Sequence, residues 1–143
     1  MARRFLTEAQ EAEVVAAIGR AERGNRGEVR VHLERRCKGE PIDRVRELFG
    51  SMCAGETSGD TGVLLYVAVA SRRAAIWAGR GIHAAAEPGF WQQAVEAVAE
   101  GYRSGDGARG IELALDEIGA LLREHLPGAD VAGNELADQV TTS

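Results

Sequence analysis

The sequence predicts an α/β fold, a three-layer α/β/α sandwich around a small mixed sheet with element order α-β-α-β-β-α-α. Three observations lead there. The run Gly62-Val63-Leu64-Leu65-Tyr66-Val67-Ala68-Val69 is apolar at nearly every position, as in a strand covered on both faces. Residues 28–34 alternate strictly, with Val29, Val31 and Leu33 set to face a core and Glu28, Arg30, His32 and Glu34 on a wetter face. A helical pattern lies between these strands, which favours a parallel pair joined by a right-handed crossover.

The elements follow in order. Thr7-Glu8-Ala9-Gln10 has capping-box spacing, and Val14, Ile18 and Ala21 repeat on one face until Gly24-Asn25, so the first helix spans about residues 8–23. After strand 28–34, Pro41 suits the first position of a second helix, with Ile42, Val45, Leu48, Phe49 and Met52 as its apolar stripe. Gly55 and Gly59 break it before strand 62–69. Residues 73–78 return too soon for a crossover and must pair antiparallel. Pro88 opens a helix carrying Phe90 or Trp91, Val95, Val98 and Tyr102 on one side, ended by Ser104-Gly105. Asp106 caps the last helix, which runs through Ile111, Leu115, Ile118 and Leu122 and closes at Pro127-Gly128. His125 in its last turn complements the helix dipole.

The 143 residues, 45% of them hydrophobic, suffice for one core and are short for two. Residues 1–127 read as a single domain and 128–143, without periodicity, as a flexible C-terminal tail. The net charge of −5 is uneven, with +2 in the first fifty residues and −7 in the rest. Arginines interleave with glutamates at helix spacing, which excludes a nucleic-acid surface. No export signal and no apolar run long enough for a bilayer is visible, so the expectation is a cytoplasmic, monomeric protein without membrane insertion. Cys37 and Cys53 fit no metal or redox spacing and are expected as free thiols.

The strand directions collect polar groups at two sheet edges. One edge gathers Gly27-Glu28, the loop Glu56-Thr57-Ser58-Gly59-Asp60-Thr61 ahead of Gly62, and Gly79-Arg80-Gly81-Ile82-His83. Carboxylates, a histidine and a glycine loop that lets backbone come close to a ligand are the parts of a hard-cation or phosphate site. The same residues also suit plain turn geometry. The other edge gathers Arg35, Arg36, Cys37 and Lys38 beside Arg72 and Arg73, which would hold an anion or guard the edge against aggregation. Phe90 and Trp91 are either core or a lid over the first edge. No triad, nucleotide loop, Cys-x5-Arg loop or Asp-x-Asp pair is present, so no catalytic residue is assigned.

Taken together, Gly27-Glu28-Val29-Arg30-Val31, Asp60-Thr61-Gly62-Val63-Leu64-Leu65, Gly79-Arg80-Gly81-Ile82 and Gly105-Asp106-Gly107 resemble the TPM domain family in order and spacing, over about residues 5–127. The family is named after a thylakoid lumen protein, a photosystem II repair factor and a nematode receptor modulator, and this chain is similar to its soluble bacterial branch. The resemblance implies a βαββαα-like sandwich. It also implies divalent-cation binding (calcium or magnesium) in an interaction module, a metal-dependent phosphatase-like activity, or a protein-binding scaffold linked to membrane assemblies, with an unidentified protein partner. Position by position, Glu28, Asp60 and Asp106 are the matching acidic residues, with Asp116 a further addition from the final helix. Thr61 stands where the family usually has Asn, Gly107 where it has Tyr, and His83 where an acid is common.

Overall fold

The computed structural model describes residues 5–52, 61–128 and 140–143. Its elements are α1 (Glu8–Glu22), β1 (Glu28–Glu34), α2 (Pro41–Met52), β2 (Gly62–Ala68), β3 (Arg73–Ala78), α3 (Arg80–His83), α4 (Phe90–Arg103), α5 (Gly107–His125) and β4 (Val140–Thr142). The sheet order is β3-β2-β1-β4, with β2 and β4 parallel to β1 and β3 antiparallel to β2. The three predicted strands and four long helices are all present within a residue or two of their expected ends.

The strand alternation builds two cores. Val29, Val31, Leu33, Val63, Leu65, Val67, Ile76 and Ala78 face α1, α4 and α5 and pack on Val14, Ile18, Val98, Ile111, Leu115, Ile118 and Leu122. Leu64, Tyr66, Ala68 and Ala75 face the other way and pack on Val45 and Phe49 of α2. β2 is therefore buried at every residue, as its unbroken apolar run requires. The α4/α5 pair crosses with backbones nearly touching: a Cβ on Gly110 would lie 2.7 Å from the Ala97 carbonyl oxygen and 3.0 Å from the Gly101 Cα.

The capping box at Thr7 forms as read, with the Thr7 hydroxyl accepting from Gln10 N–H and the Gln10 side chain accepting from Thr7 N–H. Thr7→Ala is expected to lower stability by about 1 kcal/mol, seen as a lower thermal midpoint.

Two expectations are corrected. The end of the tail is ordered: Val140–Thr142 adds a fourth strand beside Val31, His32 and Leu33. Three residues without alternation carry no strand signal of their own, and side-chain bonds described below hold them. The glycine loop at 79–83 is instead the helical turn α3, with Gly79 at its N-cap in ordinary extended geometry (φ −63°) and buried Ile82 as its anchor. Neither Gly79 nor Gly81 is used for a left-handed conformation.

Candidate functional site

The chain places Glu28, Gly62 and Gly79 at one end of the sheet. Glu28 pairs with Gly62 in register, and Gly79 N–H donates to the Gly62 carbonyl at 2.9 Å. Adjacent strands lie about 4.8 Å apart, so Glu28 and Gly79 are about 10 Å apart across β2. Arg80, Gly81 and His83 follow directly, with Gly81 and His83 exposed. Asp60 lies outside the described residues, as do Glu56 and Cys53.

Helix ends surround this end. α1 finishes here, where the fully buried Asn25 donates to the Ala21 carbonyl (2.7 Å) and accepts from Gly27 N–H (2.8 Å), while the Glu22 carboxylate accepts from Val29 N–H (2.8 Å). α5 finishes here too, since Arg26 N–H donates to the Leu126 carbonyl and Asn25 bridges to Pro127. α2 starts beside Glu34 at the far end and runs back toward this one. Three helix C-termini, each equivalent to roughly half a negative charge, thus point to the same end. Arg123, which donates to the Arg20 carbonyl, partly offsets them on the α1/α5 side.

The structure does not bring Asp106 or Asp116 to Glu28. Asp106 caps the N-terminus of α5, accepting from Arg109 N–H at 3.1 Å. α5 has 19 residues and is pinned to Arg26 at its other end, which puts Asp106 roughly 27 Å along the helix from that end. Asp116 is exposed and faces Arg20 at 3.5 Å, on the α1/α5 side of the sheet, whereas alternation along β1 turns Glu28 toward the α2 side. Among the described residues no three His, Cys, Asp or Glu side chains form a ready cage for a metal.

A second cluster, at the other end of β1, is connected throughout. Glu34 accepts from Arg44 through both oxygens (3.1 and 3.0 Å), from the Tyr66 hydroxyl (2.6 Å) and from the Ser143 hydroxyl (3.0 Å). Burial raises its pKa, but these four donors and the Arg44 charge outweigh that and bring it down to about 2. Tyr66, buried and bonded to this carboxylate, is pushed well above the usual phenol range, and Arg44 is held firmly charged by Glu34. His32, only 4% exposed, meets Thr141 Oγ1 with Nδ1 (2.7 Å) and Ser143 Oγ with Nε2 (2.8 Å). Because the Ser143 proton goes to Glu34, its oxygen accepts from Nε2–H, which leaves Nδ1 to accept from Thr141. Desolvation lowers the His32 pKa, with Glu34 opposing and Arg44 adding to the effect.

A family model described as the TPM domain matches residues 2–121. The chain belongs to the TPM domain family. The BA42 protein of the psychrophilic bacterium Bizionia argentinensis, solved by NMR, is similar to this TPM domain at 28% identity and a TM-score of 0.84, over 99% of this chain and 97% of its own. The N-terminal domain of a P. gingivalis protein aligns at 20% identity and TM-score 0.70, over 85% of this chain and 78% of that one. The N-terminal domain of cg2496 from Corynebacterium glutamicum aligns at 12% identity and TM-score 0.66, over 91% and 82%. These two show the shared fold. No match to the sequence was found among the curated proteins.

In this TPM domain the His32 cluster is what sequence reasoning missed. Its signals were the single Tyr66 in an otherwise apolar strand and the His32/Glu34 pair on one face of β1. Every Glu34 oxygen is engaged and its pKa is far below neutrality, so the cluster fastens β4 and α2 to the sheet rather than offering a base. Of the arginine edge, Arg73 is paired with Glu40 at 3.1 Å, while Arg35, Arg36, Lys38 and Arg72 are exposed. Phe90 and Trp91 meet edge to face at 4.8 Å and pack on the larger core. No helix among the described residues is long and apolar enough to cross a membrane.

Proposed function

We propose that this TPM domain is a divalent-cation-binding interaction module whose site is the Glu28 end of the sheet. The observation that carries the reading is the convergence there of Glu28 with the C-termini of α1, α2 and α5, an arrangement that favours positive charge. Asp60, outside the described residues and two positions before Gly62 in the sequence, is proposed as the second carboxylate. Carboxylates and carbonyls are the donors calcium and magnesium select, and the shell would be completed by backbone oxygens and water. With Asp106 and Asp116 placed elsewhere, few protein charges remain for the ion, so the affinity is expected to be modest.

Titration calorimetry of the metal-stripped protein tests this. Calcium or magnesium should give saturable binding that Glu28→Gln and Asp60→Asn each weaken several-fold, while Asp106→Asn leaves it unchanged. The absence of saturable heat and of any cation-dependent rise in thermal midpoint would remove the proposal.

A further inference from the structure

The two edges of the sheet are protected unequally. At one edge β4 has three residues among those described. At the other, β3 is six residues long and contains no proline. The bond from Gly79 N–H to the Gly62 carbonyl fixes the phase of the β2/β3 ladder, so Trp77, Ala75 and Arg73 turn their backbone groups to β2. Ala74, Ile76 and Ala78 therefore turn N–H and C=O away from the sheet. Alongside runs a groove of about 450 Å³, floored by Arg73, Ala74, Ala75 and Ile76 and walled by Pro41 and Ile42 of α2 and by Trp91 and Val95 of α4. Ile42 is 46% exposed, one of two large hydrophobic side chains so exposed among the described residues. The Trp91 indole N–H is buried and has no acceptor among them, so the ring offers the groove its carbon surface rather than a donor.

We propose that this edge binds an extended peptide segment of another protein, added to the sheet as a fifth strand beside β3. Outward amides and carbonyls at strand spacing are matched by the backbone of another extended chain, and Ala74 and Ile76 present them along the groove floor. The walls define the side chains: apolar ones toward Ile42 on one face and toward Trp91 and Val95 on the other. The Glu40–Arg73 pair closes one end and leaves no net charge to attract a strongly charged peptide. A strand entering between α2 and α4 must be bare on both faces. That favours a free segment over β3 of a second copy, which carries its own α2 and α4.

The test is to select binders to the full chain from a displayed library of unstructured peptides and map the best one by amide-resolved NMR. The expected peptides alternate apolar residues without central proline and shift the amides of residues 73–76 and of Ile42. Ala74→Pro removes one outward donor and leaves the β2 ladder untouched, so binding should fall roughly tenfold or more while β2 amide protection is unchanged. Ile42→Asp, on the rim, gives a second reading that does not depend on the strand, and it too should weaken binding. Failure to select any binder, binders that map elsewhere, binding indifferent to both substitutions, or a concentration-dependent dimer that occupies β3 would overturn the proposal.

Discussion

Glu34→Gln is expected to destabilise the fold by about 3 kcal/mol, because removing one member of a part-buried charge pair leaves the other desolvated and unmatched. Arg44 loses a bidentate partner, the Tyr66 hydroxyl loses its charged acceptor, and Ser143 loses the group that aligns it with His32. Arg44 is 29% exposed, so water recovers part of the loss and the figure falls at the lower end of the usual range. The thermal midpoint should drop by roughly 10 °C. A midpoint within a degree or two of the parent would show that the cluster is ornamental.

The same groups set the direction of the pH dependence. Both His32 and Glu34 have folded pKa values below their ordinary ones, so in each window the unfolded chain binds the proton more readily. Stability from His32 is complete above its ordinary value of 6.5 and is lost as the pH falls below it. Stability from Glu34 is complete above 4.5 and is lost as the pH falls toward about 2. Denaturant midpoints should therefore decline in two stages on acidification, and His32→Gln should erase the first. A midpoint that rises on acidification from neutrality would contradict the assignment.

Gly110→Val is expected to cost at least about 3 kcal/mol, since overpacking here has no side chain to push aside. A Cβ at Gly110 meets the Ala97 carbonyl and the Gly101 Cα, and one at Gly101 meets the Gly110 Cα at 2.7 Å, so only movement of α4 away from α5 makes room. That movement would open the larger core around Val98 and Ile111. Denaturant unfolding checks the magnitude, and parent-like stability would mean that the helices do not cross at these glycines.

Sequence pattern carried most of the fold because its information was periodic. Buried β2 is apolar throughout, β1 alternates, and Thr7, Asp106 and Pro41 mark helix starts by local chemistry alone. β4 was illegible because its stability comes from Thr141 and Ser143 bonding to His32 and Glu34, more than a hundred residues away. Asp106 is the helix cap its spacing predicts, but it stands at the opposite end of the sheet from Glu28, with which the resemblance groups it. Helix spacing does not say where a helix starts in space. Following the path does: α4 leaves the Gly79 end, so α5 must begin at the opposite end and return. The glycines at 79 and 81 signalled a loop, yet Ile82 is buried, and its burial folds the segment into a helical turn.

Amide-resolved NMR of the metal-stripped protein, titrated with calcium and separately with magnesium, tests the proposed function most directly. Saturable shifts at Glu28, Asp60, Gly62 and residues 79–83, with Asp106 and Asp116 silent, are the predicted result. Shifts centred on Asp106 or Asp116, or an unchanged spectrum, would contradict it.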